Sequence, residues 1–176
     1  KETKYIMKKL SPLNFQTLSA PIYHELIAQL ISGAYEPGQR LKLNELAEQT
    51  GTSVSPVREA LIRLVAEDSV EMSSLRAFAV PVLSSSRFNQ ILSMRLALEG
   101  LAVEKAAENI TQGNLEELPK LHAKFISAEA DQKRVETQSL NRKIHFLIYD
   151  RANMPMLMSS ILNLWAKMGP ILRVYY

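Results

Sequence analysis

Apolar side chains recur along this chain with two periods, and the change of period divides it. From Pro21, Ile22, Leu26, Leu30 and Ile31 follow helical spacing, and Pro21 suits a first turn, where a backbone N–H has no partner anyway. Gly33 and the pair Pro37-Gly38 break that helix. Leu43, Leu46 and Ala47 predict a short second helix, with Asn44 as candidate N-cap and Gly51 at its end. A third helix follows, capped by Ser55 with Pro56 at its first helical position. Val57, Ala60, Leu61, Leu64 and Val65 obey the i, i+3, i+4, i+7, i+8 rule and define a core face. Ser55, Arg58 and Ile62 fall opposite, flanked by Glu59 and Arg63. The period then drops to two. "VEMSS" and "RAFAVPVL" read as a hairpin, with Phe78, Val80 and Val82 on one buried face and Leu75-Arg76-Ala77 near the tip.

Beyond "SSSR", Ser84 to Arg87, which serves as linker and helix start, the pattern is helical throughout. Helices are predicted at about 87–109, 114–130, 135–151 and 154–176. The expected fold is mainly α, with three helices and a hairpin forming a winged helix-turn-helix, followed by an all-α bundle. The expected division is a flexible arm at 1–19, a winged-helix domain at 20–83 and a helical effector-binding and dimerisation domain at 84–176.

Composition narrows the picture. Of 176 residues, 47% are hydrophobic and 22% charged, as in ordinary soluble domains, and the absence of cysteine rules out disulfides and thiolate catalysis. A reducing, cytoplasmic setting is expected. No stretch reaches 18 uninterrupted apolar residues, so no membrane span is expected, and the basic N-terminus lacks the apolar run of a secretory signal. A net charge of +3 permits an anionic partner without requiring one.

The third helix supplies the candidate chemistry. A helix start that projects serines and an arginine suits a DNA groove. Hydroxyls and backbone N–H groups meet phosphates, and arginine reaches a phosphate or the O6/N7 edge of guanine. A solvated face with incidental arginines is the plainer alternative.

These residues resemble a known family. "GAYEPGQRLKLNELAEQTGTSVSPVREALIRLVAED" with the hairpin is similar to the GntR-type winged-helix transcription regulators. "LSSSRFNQILSMRLALEGLAVEKAA" resembles the start of the helical effector (FCD-type) domain of their FadR-like branch. The resemblance implies DNA contacts by Ser53, Ser55, Pro56 and Arg58 at the recognition helix, by Arg76 in the wing, and by Arg40, Lys42 and Asn44 around the second helix. This chain departs from the family at Val54, where arginine is usual, at Asn44, a commonly basic position, at Ala77, where the wing has glycine, and at Asp68-Ser69-Val70. Fewer cations imply a different operator and weaker binding.

In the helical half, Arg95 falls in the middle of an apolar face formed by Phe88, Ile91, Leu92, Leu98 and Ala102. A guanidinium there needs a partner. Glu99, one turn on, is one candidate; a ligand carboxylate is the other, and the resemblance favours it. Asn141 and His145 share a helix face at i, i+4. By resemblance they take the place of a "D-x-x-x-H" pair that holds zinc or a similar divalent ion, with asparagine instead of the acid and two further histidines missing. His24 is expected on the exposed side of the first helix. His122, with Leu115, Leu118 and Phe125 on an apolar face, is expected to be a hydrogen-bonded core histidine. The resemblance also implies that the bundle is incomplete, short of two helices.

The function expected is that of a ligand-responsive regulator, in most cases a repressor, binding a pseudo-palindromic DNA operator as a homodimer and answering to a small organic acid. Two rivals remain: a metal-dependent enzyme on the bundle, for which no H-E-x-x-H, nucleophile elbow or phosphate loop is present, and an interaction module that binds no DNA.

Overall fold

The structure is a computed structural model that describes residues 18–73 and 77–175, with side chains to 172. The 1–19 arm, apart from Leu18 and Ser19, and the wing residue Arg76 lie outside the described residues. In chain order the elements are α1 (Ser19–Ile31), β1 (Arg40–Leu41), α2 (Leu43–Gln49), α3 (Val54–Ala66), β2 (Glu71–Met72), β3 (Phe78–Ala79), α4 (Ser85–Ala107), α5 (Gln112–Ala130), α6 (Arg134–Tyr149), a 3-10 turn (Asp150–Ala152) and α7 (Pro155–Tyr175).

The apolar stripe of α1 is buried as the spacing predicts, and Tyr23 and Ile27 join it. On α3, Val57, Ala60, Leu61 and Leu64 are sealed against it, whereas Val65 is half-buried. The caps differ from expectation. Ser53, extended at φ −82° and ψ 166°, precedes the first helical residue Val54, so Ser55 lies inside α3 and Pro56 is its third residue. Proline is tolerated there because the first-turn N–H groups lack intrahelical acceptors. Likewise Lys42, not Asn44, is the N-cap of α2. Gly51 turns the chain between the helices at φ +63°, in the left-handed region where a side chain is strained.

The hairpin is one part of a three-stranded antiparallel sheet ordered β1-β3-β2. Arg40 pairs with Ala79 and Leu41 with Phe78, while Glu71 and Met72 face the same two residues from the other side. Bonds from Gly38 N–H to the Val80 carbonyl (2.8 Å) and from Val80 N–H to that of Gln39 (2.9 Å) extend the β1 ladder. Phe78 and Val80 are buried, but Val82, expected beside them, is 70% exposed. The ladder stops before it, because Pro81 has no N–H to donate.

The four helices of the second half lie near their predicted positions. Ser84 caps α4 by accepting from the Arg87 N–H, and a Thr111–Asn114 capping box starts α5. On α4, Ile91 and Ala102 are buried and Phe88 and Leu98 half-buried, but Leu92 turns outward. α5 packs chiefly on α6, which leaves Leu115 and Ile126 about half exposed and His122 exposed. His122 is therefore no core histidine: the apolar face it shares is uncovered. His24 is exposed, as expected.

One continuous core joins the two halves. It runs from Leu26, Leu30 and Leu61 through Leu157, Ile161 and Trp165 of α7 to Ala102 and Tyr149. α7 lies against both α1 and α4. At Gly169 the crossing with α1 is so close that a Cβ would sit 2.0 Å from the Leu30 carbonyl oxygen and 2.9 Å from Ile31 Cα.

Candidate nucleic-acid interface and effector site

Burial of the aliphatic side of α3 forces the other side outward. Ser53, Ser55, Arg58 and Glu59 are exposed, and Arg58 has no ion pair among the described residues. The Ser53 side chain makes no capping bond, so the first-turn N–H groups of α3 remain open to an anion. Arg63 has a different fate. Its Nε donates to Glu67 Oε1 at 3.1 Å, and its guanidinium carbon stands 3.6 Å from the centre of the Tyr23 ring. Tyr23 donates to the other Glu67 oxygen at 2.6 Å, and burial, reinforced by that carboxylate, pushes its hydroxyl up to about 12. The second arginine of the helix thus fastens α3 to α1.

Arg40 on β1 and Lys42 at the head of α2 are exposed beside one shallow concavity that also touches Phe78. Lys42 is bound to Glu45 at 2.7 Å on the surface, a pair that phosphate could replace at small cost. Asn44 is exposed one turn from Arg40. The predicted contact residues of the described part therefore share one side of the winged helix, without any of them being buried.

In the helical half a single carboxylate organises the interior. Glu99 receives Arg95 Nε at 2.5 Å and Arg95 Nη2 at 3.4 Å, the Tyr149 hydroxyl at 2.7 Å and the Trp165 indole N–H at 2.9 Å. The Arg95 guanidinium also stands 4.5 Å from the Trp165 ring. Arg95 and Glu99 are each 15% exposed, so the pair is largely out of water. Of the two readings of Arg95, pairing with Glu99 is what the fold contains.

His145 Nδ1 lies 2.9 Å from the Tyr149 oxygen. Tyrosine has one proton, and it goes to Glu99; the histidine must therefore donate, which leaves Nε2 as the lone-pair nitrogen. Burial lowers the His145 pKa from 6.5; Glu99 opposes that shift and Arg95 adds to it. Burial and the Glu99 carboxylate together hold Tyr149 far above its ordinary value, so it stays a donor. Asn141, one turn before His145, instead lines a cavity of about 240 Å3 between α5, α6 and α7. Ile31 and Ser32 at the end of α1 close one side of it, and Trp165 is shared between cavity and carboxylate cluster. The structure thus links Arg95 to His145 through Glu99 and Tyr149 and sets Asn141 apart.

Zinc wants three or four nitrogen, sulfur or carboxylate donors. Among the described residues no three histidine, cysteine, aspartate or glutamate side chains gather, and Asn141 with His145 offers two donors at most. These residues do not fit the ion that the resemblance implies.

Glu99 was legible in the sequence only as a partner of Arg95. Its other donors, Tyr149 and Trp165, lie 50 and 66 residues away, beyond any helical period. The lone tryptophan was the one cue available.

With this geometry in hand, comparison with known proteins is direct. Residues 18–80 match the family described as bacterial regulatory proteins, gntR family, and residues 90–176 match the FCD domain. The HTH-type transcriptional regulator McbR of Escherichia coli (strain K12) is 39% identical over 160 residues, which cover 91% of this chain and 72% of McbR. The solved structure of E. coli McbR/YncC superposes with a TM-score of 0.84 at 38% identity, covering 92% of this chain and 76% of that one. The HTH-type transcriptional regulator YdhC of Bacillus subtilis (strain 168) is 30% identical over 132 residues, 73% of this chain and 58% of YdhC.

Proposed function

The chain belongs to the gntR family of DNA-binding transcriptional regulators and carries an FCD domain, and from that premise we propose how it acts. It binds a short pseudo-palindromic operator as a homodimer, one α3 in each of two neighbouring major grooves, and represses. Arg58 reads a base edge or a phosphate. Ser53, Ser55 and the open N–H groups of α3, with Pro56 shaping its first turn, hold the backbone, and Arg40, Lys42, Asn44 and Arg76 add phosphate contacts. The carrying observation is Arg58: exposed and unpaired on the face opposite a fully buried Val57, Leu61 and Leu64.

A small organic acid bound in the helical half, on the side of Asn141 and the Arg95–His145 cluster, biases one arrangement of the winged helices; its effect equals its differential affinity for the two. The core shared by α1 and α7 supports such coupling. We place the protein in the cytoplasm, with the DNA; none of its described helices is long and apolar enough to cross a membrane. The enzyme reading is set aside, because the family and its matched relatives are regulators.

The test is a gel-shift titration on duplexes selected from a random pool. Arg58→Ala is expected to lose about 1–3 kcal/mol of affinity and to flatten the salt dependence if the contact is to phosphate. Unaltered affinity and salt slope would remove α3 as the reading helix.

A further inference from the structure

The carboxylate anchor read from the sequence, Arg95, is already occupied by Glu99 and does not line the cavity. Another arginine does. Arg142, half-buried on α6 beside Asn141, has no ion pair among the described residues and is the only charged group on the cavity wall. A half-buried guanidinium without a counter-charge gains by pairing with an anion, and its planar fork matches a carboxylate. The rest of the wall is largely apolar and aromatic, with Phe125, Trp165 and Leu172 facing Ile31 from α1.

We propose that this cavity is the effector site and that its ligand is a small amphipathic monoanion, its carboxylate on Arg142 and Asn141 and its apolar body against Phe125 and Trp165. The assignment rests on the regulator reading given above and deepens it. One cation on the wall selects a single negative charge. A volume of 240 Å3, below the roughly 300–1,000 Å3 of sites for drug-sized molecules, selects a small body. The ligand would touch both halves at once, because Ile31 ends the first helix of the winged domain while Trp165 belongs to α7. Arg95 becomes a positioning residue, holding Glu99 and through it Trp165.

Trp165 is the only tryptophan in the chain, so its fluorescence reports occupancy of this cavity. The probes are cyclohexanecarboxylate and its neutral amide, matched in shape and differing in charge. The acid is expected to change the emission saturably and to bind at least about tenfold more tightly than the amide, as a charge-assisted bond requires. Arg142→Gln should reduce the acid to the level of the amide and leave the amide unchanged, whereas Arg142→Lys should keep most of the preference. Equal binding of acid and amide, or no saturable change at millimolar probe, overturns the site. Should Arg142→Gln fail to fold, the acid-to-amide ratio of the unmodified protein decides alone. DNA binding of the same preparations is scored separately by gel shift. Loss there with acid preference intact would sink the regulator reading and leave the site standing; the reverse result would do the opposite.

Discussion

Glu99 shows what one side chain does inside the helical half. It satisfies two N–H groups of Arg95, one phenol and one indole, all largely withdrawn from water. Removing one member of such a pair leaves the other charge stranded, which costs about 3–5 kcal/mol, while replacing both by apolar groups is often near neutral. Glu99→Ala is therefore expected to lower the unfolding free energy by about 3 kcal/mol, read from the urea midpoint. The double change Arg95→Met with Glu99→Leu should recover much of that loss. Additive losses in the cycle would show that the two residues do not act as a unit. The pairing was legible from i, i+4 spacing; the convergence of Tyr149 and Trp165 was not, because nothing in their local patterns points at residue 99.

At the scale of elements, the joint between α1 and α7 sets the relation of the two halves. Gly169 lets the helix backbones approach more closely than any side chain permits, with a Cβ forced to 2.0 Å from the Leu30 carbonyl oxygen. The obstacle is backbone, which cannot swing aside. Gly169→Ala should destabilise by about 3 kcal/mol or more through overpacking, or push α1 away. A thermal scan with gel shifts checks this, and an unchanged midpoint with unchanged DNA affinity would disprove a tight joint. Helix positions themselves were readable from periodicity. Their caps were less so: at the start of α3 two serines, Ser53 and Ser55, compete for one role, and the backbone of the turn after Gly51 chooses the earlier.

For the whole molecule, the proposed dimer needs a surface. On α4, Leu96 (70% exposed) and Val103 (47%) share one face with Leu92, Gly100 and Ala107, all exposed, and no atom outside the helix lies within 4 Å of where a Gly100 Cβ would be. An outward apolar row with a glycine at its centre suits close approach of the same helix from a second copy. Leu96→Glu is expected to halve the mass seen by light scattering and to weaken operator binding at least about tenfold, since each monomer then holds one half-site. A variant of unchanged mass would clear α4 of that role.

Local rules, acting within a few residues, were enough to determine the helices, the turn at Gly51, the outward Arg58 and the winged architecture. Periodicity, breakers and caps are properties of neighbouring residues, and burying one face of a short helix dictates the other. What only the folded chain decided was which arginine is free. Arg58, Arg63, Arg95 and Arg142 look alike along the sequence, yet Arg63 is held by Glu67 and Tyr23 and Arg95 by Glu99, while Arg58 and Arg142 face outward and into a cavity. Helical spacing offers each arginine several partners. The ring stacked on Arg63, the donors gathered on Glu99 and the wall around Arg142 come from residues far away in the chain, and packing alone brings them within reach.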